Sequence, residues 1–431
     1  MKSLIKLLIN SVNILISYII LAVVILISIF ILPNRKTLIW GCIPLINNKY
    51  WSDALKKNGY QSLTLMRTYY SKINKRSDFD LYFSDLLPDW LKIPGLENWL
   101  QRIAALLYVR RNASTLHITY QGFALGDTPL WFLEAQLYQL WGIQTCVMPY
   151  GADAYLSSLI QDPSLRHVLQ IDYPQLARSE SKIAARVQYW NQMADVVLSS
   201  VMIDGMGRWD CLVRSSLCLD LEQWSAKTQL NESDGTIVPI RIIHTPNHRG
   251  FKGTEFLLSA ISELKSEGLK IDLVLLEGIP NDEVRIQMQQ ADILVEQLIT
   301  GYGMSAVEGM ASGLVVISNL ENLFYTEVFR RYSYFSECPI VSSSPEKIKE
   351  TIRILIKNPE IRKNLSRASA LYAKKYHSYN FFSYLFTNIY RHLNHDSSVD
   401  LINLFHPLKS EYSKSQPYVT HPLINNQLLT K

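Results

Sequence analysis

Apolar and polar positions alternate along the chain in blocks that predict strands and helices in turn. Short apolar runs typical of buried strands are found at residues 37–45, 61–66, 114–120, 145–151 and 194–201. An amphipathic helix is predicted between them over 90–111. Strands that are apolar along their whole length are typical of a parallel sheet covered by helices on both faces. The pattern therefore predicts an α/β domain over 37–230.

A second alternating series begins after a polar stretch at 226–236, where we place a domain boundary. It predicts strand 238–246, helix 253–268, strand 270–278, helix 282–291, strand 292–298, helix 303–311 and strand 314–319. The chain is thus predicted to be α/β, with two doubly wound, Rossmann-like domains at 37–230 and 231–395 that face a cleft. Residues 396–431 are polar and are predicted to form a loosely ordered tail.

The first 36 residues are predicted to be a membrane anchor. Residues 14–32 carry no charged side chain. As a helix they would span about 28 Å, close to the thickness of a bilayer core. No small-residue cleavage site follows, which favours one uncleaved transmembrane helix over a signal peptide. Lys2 and Lys6 precede the run, and Arg35 and Lys36 follow it. This distribution favours a single-pass protein of the cell inner membrane with cytoplasmic catalytic domains.

Composition narrows the classes of function. The formal net charge of +5 is spread along the chain without a long basic block, so no nucleic-acid partner is expected. The five cysteines lack any Cys-x-x-Cys spacing, which favours buried thiols in a reducing compartment over a zinc site or disulfides. Asn112, Asn231 and Asn364 each begin an Asn-x-Ser sequon, so a luminal orientation of the anchor stays open.

A glycine turn near residue 300 leads into a helix that carries a lone acid, Glu308. In an open parallel sheet, ligands bind beyond the carboxyl ends of the strands, where such a turn feeds a helix N-terminus. The free amides of Gly303, Met304 and Ser305 can face phosphate oxygens, and a carboxylate can accept hydrogen bonds from both ribose hydroxyls. This indicates nucleotide binding. The alternative is an ordinary strand, turn and helix with a solvated acid.

The loop at residues 244–256 supplies positive charge at the end of the first strand of the second domain. It carries Arg249 and Lys252 just before a helix. Cations at this edge would neutralise a diphosphate leaving group as a sugar–phosphate bond breaks. Solvated loop charges are the alternative, and the Glu308 helix farther along the chain favours the functional interpretation.

Three stretches, KGTEFLLSAISEL, ADILVEQL and GYGMSAVEGMASGLVVISN, resemble the retaining glycosyltransferases of the GT-B fold, specifically glycosyltransferase family 4 (group 1). The resemblance is strongest over 237–320. It implies that Glu308 binds the nucleotide ribose and that Lys252 and Arg249 bind the diphosphate. It also implies that residues 303–305 cover the phosphates.

The same resemblance implies that the loop beginning at Gly278 lies beside the base. One departure concerns the donor sugar, because Thr300 stands where the family usually has a second glutamate, and the nearest acid is Glu296. The sequence EQLITGYG resembles a branch of capsule and lipopolysaccharide enzymes in which an acid followed by Gln-Leu precedes the Gly-Tyr-Gly turn. Glu296 is therefore included among the donor-binding candidates.

In the first domain, PYGADAY resembles the acceptor-side loop of the family. Asp153 is the candidate for contact with an acceptor or donor-sugar hydroxyl, and a helix N-cap acid is the alternative. Asn47, which follows the first strand, could line the cleft. His117, alone in a strand, is predicted to be a satisfied core histidine.

These observations imply a membrane-anchored, retaining hexosyltransferase that moves a sugar from a nucleoside-diphosphate sugar to a glycan or lipid-linked acceptor in surface polysaccharide biosynthesis. No cofactor is expected besides this donor substrate. No metal site is expected, because Asp78 and Asp80, although spaced like the metal-binding acids of the GT-A fold, precede most of the first domain. An oxidoreductase is disfavoured because no Gly-x-Gly-x-x-Gly follows the first strand. A non-catalytic nucleotide-sugar-binding scaffold with a degraded site remains the alternative.

Overall fold

In a computed structural model, the chain forms two α/β domains whose strands pair in parallel. The structure describes residues 2–71, 74–199, 203–415 and 417–428, with the backbone alone for 2–13, 15 and 16. The strands are β1 (Thr37–Trp40), β2 (Ser62–Met66), β3 (Leu81–Tyr82), β4 (Ala113–Ile118), β5 (Gln144–Val147), β6 (Val196–Val197), β7 (Ile240–His244), β8 (Ile271–Leu275), β9 (Ile293–Val295), β10 (Val315–Ser318) and β11 (Val341–Ser342).

The helices cover both faces of these sheets. They are α1 (Lys2–Ile29), α2 (Ile46–Lys57), α3 (Glu97–Asn112), α4 (Glu134–Leu140), α5 (Pro163–Asp172), α6 (Pro174–Arg178), α7 (Glu180–Met193), α8 (Arg249–Lys252), α9 (Thr254–Ser266), α10 (Asn281–Gln290), α11 (Met304–Ala311), α12 (Leu323–Tyr332), α13 (Ile348–Lys357), α14 (Pro359–Tyr376), α15 (Tyr379–Leu393) and α16 (Glu411–Lys414).

The two sheets have the strand orders β3-β2-β1-β4-β5-β6 and β11-β10-β9-β7-β8. Strand order therefore reverses between β1 and β4 in the first domain and between β7 and β9 in the second. Such switch points open a crevice beyond the carboxyl ends of the strands, which is where ligands bind in folds of this type. The predicted α/β class with two doubly wound domains is confirmed. The five cysteines are buried with free thiols, as expected.

Helix α15 crosses back to the first domain and packs on α2. The ring of Phe386 lies edge-on against Trp40 at 4.8 Å, and the Tyr390 hydroxyl hydrogen-bonds to His117 Nε2 at 2.9 Å. His117 Nδ1 pairs with the Ile39 carbonyl, and burial lowers the pKa of this histidine to about 3. His117 is thus a satisfied core residue, as predicted. The C-terminal boundary at 395 does not separate the domains, because the last long helix belongs to the core of the first.

The two crossings between the domains run side by side. After β6, the chain enters the second domain through residues 211–239, and it returns after α14. The Leu219 amide donates a hydrogen bond to the His377 carbonyl at 2.9 Å, and His377 Nδ1 pairs with the Leu217 carbonyl at 2.7 Å. The polar stretch at 226–236 is held to the second domain, because Lys227 forms a buried ion pair with Asp292 at 3.1 Å.

The N-terminal membrane anchor is a prediction that needs correction. In the part of the chain that the structure describes, no helix combines the length and the apolar character needed to cross a bilayer. The predicted transmembrane helix over 14–32 and the inner-membrane location drawn from it are therefore wrong. Part of the apolar run packs on protein instead: Leu21 and Val24 are buried in the core of the first domain, and Ser28 accepts a hydrogen bond from Trp141 at 3.1 Å. The side chains of Lys2 and Lys6, used for the orientation, lie outside the described residues.

The segment 396–428 is also more ordered than its polar composition predicts. Five of its apolar residues are buried against the second domain: Leu401, Leu404, Phe405, Val419 and Leu423. The Asn426 amide donates hydrogen bonds to the carbonyls of Cys338 and Ile340 at 2.7 and 3.0 Å. The expectation of a loosely ordered tail is wrong for this described part, because a few well-spaced anchors suffice to hold it.

Candidate active site

The turn between β9 and α11 forms the floor of the candidate site. Gly301 lies in the left-handed region with φ of +66°, and its amide bonds to the Asn319 carbonyl at 2.8 Å. Helix α11 then lies against the sheet at Gly309, where a Cβ would come within 2.5 Å of Leu294. Glycine at this position allows the close approach of helix and strand. The N-terminus of α11, capped at Gly303, is thereby fixed beyond the carboxyl end of β9.

Three candidates predicted from separate stretches meet at this N-terminus. The ammonium of Lys252, at the end of α8, forms a buried ion pair with Glu296. It also lies 3.3 Å from Gln297 Oε1 and 3.4 Å from Ser305 Oγ. Glu296 in turn accepts hydrogen bonds from Ser305 Oγ at 2.9 Å and from the Gly303 amide at 3.3 Å. These residues form one connected buried cluster, called here the lysine cluster.

Glu308 lies on the same helix and is buried. Its carboxylate accepts a hydrogen bond from Asn281 Nδ2 at 3.2 Å. Burial raises the pKa of Glu308 to about 7, against the opposing effects of the Asn281 hydrogen bond and the Lys252 charge, and the Glu296 charge adds to the rise. A carboxylate has room for several donors, so Glu308 can accept more hydrogen bonds from a ligand.

Asn281 connects Glu308 to the loop predicted to lie beside a base. That loop follows β8, contains Gly278 with φ of +65°, and ends where α10 begins at Asn281. Sequence reasoning missed Asn281, because an asparagine at a helix start is ordinarily explained by capping. The structure places this loop next to Glu308, and the base contact itself stays a prediction.

Arg249 is not part of the lysine cluster. Its side chain is 42% exposed and pairs with Glu277, both carboxylate oxygens lying 3.0 Å from Nη1. Its Nε also donates to Glu255 at 2.8 Å. The structure thus brings Lys252, Glu296, Gly303, Met304, Ser305 and Glu308 together on or against one helix turn, while Arg249 lies on the exposed side of α8.

Asp153 organises a loop of the first domain. Its two carboxylate oxygens accept hydrogen bonds from the amides of Tyr120, Tyr150 and Gly151 at 3.0 to 3.1 Å. Burial raises the pKa of Asp153 to about 6. It does not cap a helix, and its predicted contact with a substrate hydroxyl stays a prediction. What the geometry gives Asp153 is a positioning role, since Tyr150 and Gly151 line the cavity described next.

A cavity of about 300 Å³ lies between the two domains, beside the turn at 300–303. The first domain contributes residues near Asn47, as the sequence predicted, and the loop at 149–151. The crossing segment contributes Arg214 to Leu217, and the second domain contributes the turn and residues around Asn319. Thr300, the residue at which the sequence departs from the expected second glutamate, lines this cavity. The cavity is next to the lysine cluster, since Gln297 and Gly303 belong to both.

Comparison with known proteins relates part of this site to a protein family. Residues 253–371 match the family model described as Glycosyl transferases group 1. This part of the chain is a group 1 glycosyltransferase domain. It begins one residue after Lys252 and contains the other members of the lysine cluster, together with Glu308 and Asn281.

The group 1 domain lies within a fold shared with solved structures. The crystal structure of Anabaena HepE in complex with UDP has a TM-score of 0.52 at 11% identity, covering 84% of this chain and 100% of the other. A glycosyltransferase from Rickettsia africae has a TM-score of 0.48 at 14% identity, covering 84% and 100%. Among curated proteins, none matches the sequence. The likeness to HepE supports the two-domain GT-B-like fold, and the membership in family 4 and its capsule branch stays a prediction.

Proposed function

We propose that the chain is a retaining glycosyltransferase of family 4 that moves a hexosyl group from a nucleoside-diphosphate sugar to a glycan or lipid-linked acceptor. The observation that carries the proposal is the lysine cluster at the N-terminus of α11, one and a half turns before Glu308 on the same helix. A cation, the amides at a helix N-terminus and a carboxylate in that order match the diphosphate and ribose of a nucleotide.

The arrangement suits departure of a diphosphate. Negative charge develops on the leaving group as the sugar–phosphate bond breaks, and Lys252 with the amides of residues 303–305 would stabilise it. The ammonium of Lys252 has three protons, and Glu296, Gln297 and Ser305 now accept them. A phosphate oxygen must replace one of these acceptors. The long contacts to Gln297 and Ser305 are the ones we expect to give way.

The remaining contacts follow from the same placement. Glu308 would hold the ribose, with Gly278 beside the base and Arg249 reaching the diphosphate if it leaves its pairs with Glu277 and Glu255. The cavity beyond the turn would take the sugar and the reacting end of the acceptor. We propose transfer without a metal, since Lys252 and the helix amides supply positive charge at the phosphates. Retention and a place in surface polysaccharide synthesis rest on the family resemblance.

Calorimetric titration of the full chain with nucleoside diphosphates and their sugars tests the proposal. We expect one base to be preferred, with binding weakened about tenfold or more in Glu308→Gln, since a carboxylate is removed from two ribose hydroxyls. A turnover assay with the preferred donor then detects released nucleotide. Binding without turnover would favour the scaffold alternative raised by Thr300. A wild-type protein that binds none of these compounds would overturn the proposal.

A further inference from the structure

Arg214 is a buried cation without a hydrogen-bond acceptor. The residue is 0% exposed, and among the residues the structure describes, nothing accepts a hydrogen bond from its Nε, Nη1 or Nη2. Its guanidinium lies over three aromatic rings, 4.7 Å from the centroid of Tyr302, 5.0 Å from Phe335 and 5.4 Å from Phe329. Ring faces compensate a buried charge only in part, because five N–H groups still lack acceptors.

The surroundings of Arg214 add positive charge, and the described hydrogen bonds there involve no carboxylate. The Arg330 guanidinium lies 5.2 Å from the centroid of the same Phe335 ring. Arg330 is hydrogen-bonded to Thr326 and Asn426, both neutral. Two guanidinium groups thus share one ring, with neutral partners only. A site with this electrostatic character favours an anion.

The cavity between the domains has the matching composition. Among the described residues that line it, Arg214 is the one with a charged side chain, and Asp and Glu are absent from the lining. The other polar groups are neutral, such as Asn47, Thr300 and Asn319. Tyr302 belongs both to the cavity wall and to the cover of the guanidinium. Direct contact between a ligand and Arg214 therefore requires the Tyr302 ring to turn aside.

We infer that this cavity binds a carboxylate or phosphate group, anchored by Arg214, on the part of a substrate that lies beyond the donor diphosphate. The inference rests on the proposed function for the order of the subsites, because it takes the adjoining lysine cluster as the site of the donor diphosphate. Two sources of such a group fit the position. One is the acidic sugar of a nucleoside-diphosphate uronate, and the other is a phosphate carried by the acceptor.

The test compares wild type with Arg214→Met, which keeps the length of the side chain and removes its charge. Five probes are titrated: the preferred nucleoside diphosphate, its glucose and glucuronate derivatives, glucose 1-phosphate, and glucose. We expect wild type to bind one anionic probe about tenfold more tightly than its neutral counterpart. Arg214→Met should lose this preference and keep its affinity for the nucleoside diphosphate. A preference for the glucuronate identifies the donor as the source, and a preference for the sugar phosphate identifies the acceptor.

Thermal unfolding of the ligand-free proteins gives a second readout. Removing an uncompensated buried charge should raise the melting temperature in Arg214→Met. The matched control is Arg102→Met, since Arg102 is also buried but is paired with Asp127 at 2.6 Å, and there the melting temperature should fall.

Equal affinity of wild type for the anionic and neutral probes would overturn the inference, as would a preference that survives in Arg214→Met. A wild-type protein that binds no nucleoside diphosphate would instead contradict the proposed function. The comparison of glucose 1-phosphate with glucose would still decide the role of Arg214.

Discussion

The carboxylate of Asp172, the last residue of α5 in the first domain, accepts a hydrogen bond from the Phe251 amide in α8 of the second domain at 2.8 Å. Helix α8 has no side-chain cap of its own, because the side chain of its N-cap residue, His248, makes no capping hydrogen bond. Gly250 leaves room for the acid, since a Cβ there would lie 3.1 Å from Asp172 Oδ2. Lys252 ends this short helix, so the placement of the lysine depends on contact between the domains.

Removal of this interdomain cap should weaken donor binding. We expect Asp172→Ala to lower nucleotide affinity about fivefold, the usual worth of a helix cap, because α8 and Lys252 lose their fixed position. Asp172→Asn keeps an oxygen that can accept from Phe251 and should bind nearly as well as wild type. Titration with the preferred nucleoside diphosphate measures both.

Asp195→Ala is the control for Asp172→Ala. The Asp195 carboxylate accepts hydrogen bonds from the amide and the hydroxyl of Thr145, and both residues lie within the first domain. Asp195→Ala should lower the melting temperature and leave nucleotide affinity unchanged. If Asp172→Ala binds nucleotide as tightly as wild type, the coupling between the domain contact and Lys252 is refuted.

Glu308 should make donor binding depend on pH. In the free protein, burial raises its pKa from 4.5 to about 7, so the proton stays bound up to that pH. Ribose hydroxyls donate to the ionised form, and affinity for a nucleoside-diphosphate sugar should therefore rise about tenfold per pH unit below 7 and level off above it. Such a donor has no phosphate group that titrates in this range. Calorimetry between pH 5 and 8 gives the profile.

Glu308→Gln should bind more weakly and show a flat profile over this range. The same residue affects stability with the opposite sign. The unfolded chain releases the proton near 4.5 and the folded chain near 7, so the contribution of Glu308 to stability falls as pH rises between these values. A Glu308→Gln protein whose binding still follows the wild-type pH profile would show that another group titrates.

The effects of Lys252 and Glu296 on the free energy of unfolding should depend on each other, whereas the loss of nucleotide affinity should follow from loss of the Lys252 charge alone. Lys252→Met leaves the Glu296 carboxylate buried without its cation, which should cost about 3–5 kcal/mol of unfolding free energy. The double variant Lys252→Met with Glu296→Gln removes both charges and should recover most of this loss. Nucleotide affinity should stay low in both variants, because the cation is absent. Urea unfolding and titration measure the two effects.

Another buried ion pair serves as the control. Lys375 and Glu337, 2.9 Å apart in the second domain, lie outside the residues that form the candidate site. Lys375→Met should therefore destabilise the protein by a similar amount and leave nucleotide affinity unchanged. A double variant at Lys252 and Glu296 that is no more stable than Lys252→Met alone would argue against coupling through the ion pair.

The packing of α15 on the first domain should contribute measurably to the free energy of unfolding. Phe386→Ala removes a fully buried ring that packs against Trp40 and should cost about 3–5 kcal/mol in urea unfolding. Phe256→Ala, on an exposed face of α9 where the ring is 52% exposed, should change stability by less than about 0.5 kcal/mol. Similar losses in the two variants would contradict the packing of α15 described above.

Regular elements were the most predictable part of the molecule. Runs without Asp, Glu, Lys or Arg, such as 61–66 and 114–120, coincide with β2 and β4, because a strand buried on both faces has little room for charged side chains. The edge strand β3 was missed, since its two residues carry no such signal. Among site residues, the glycine turn before α11 and the Lys252 loop were visible because special backbone positions constrain residue type.

Long-range arrangements were not predictable. The pattern of α15 predicts an amphipathic helix but does not predict which domain its aromatic face will cover. The apolar run at 14–32 was interpreted as a bilayer span, because hydropathy does not distinguish lipid from the protein surface that covers Leu21 and Val24. Arg214 is the one charged residue of the sequence CLVRSSLC, and the sequence alone does not indicate what surrounds it. Its environment depends on rings more than eighty residues away in the chain.

The pair of hydrogen-bonded crossings at Leu219 and His377 also determines how the cleft can open. A single connecting segment would allow the domains to rotate about the chain as well as to separate. Two connecting segments that are hydrogen-bonded side by side form a hinge with one axis, along the line that joins them. Rotation about that axis would retrace one path, so closure would restore the hydrogen bond from the Phe251 amide to Asp172.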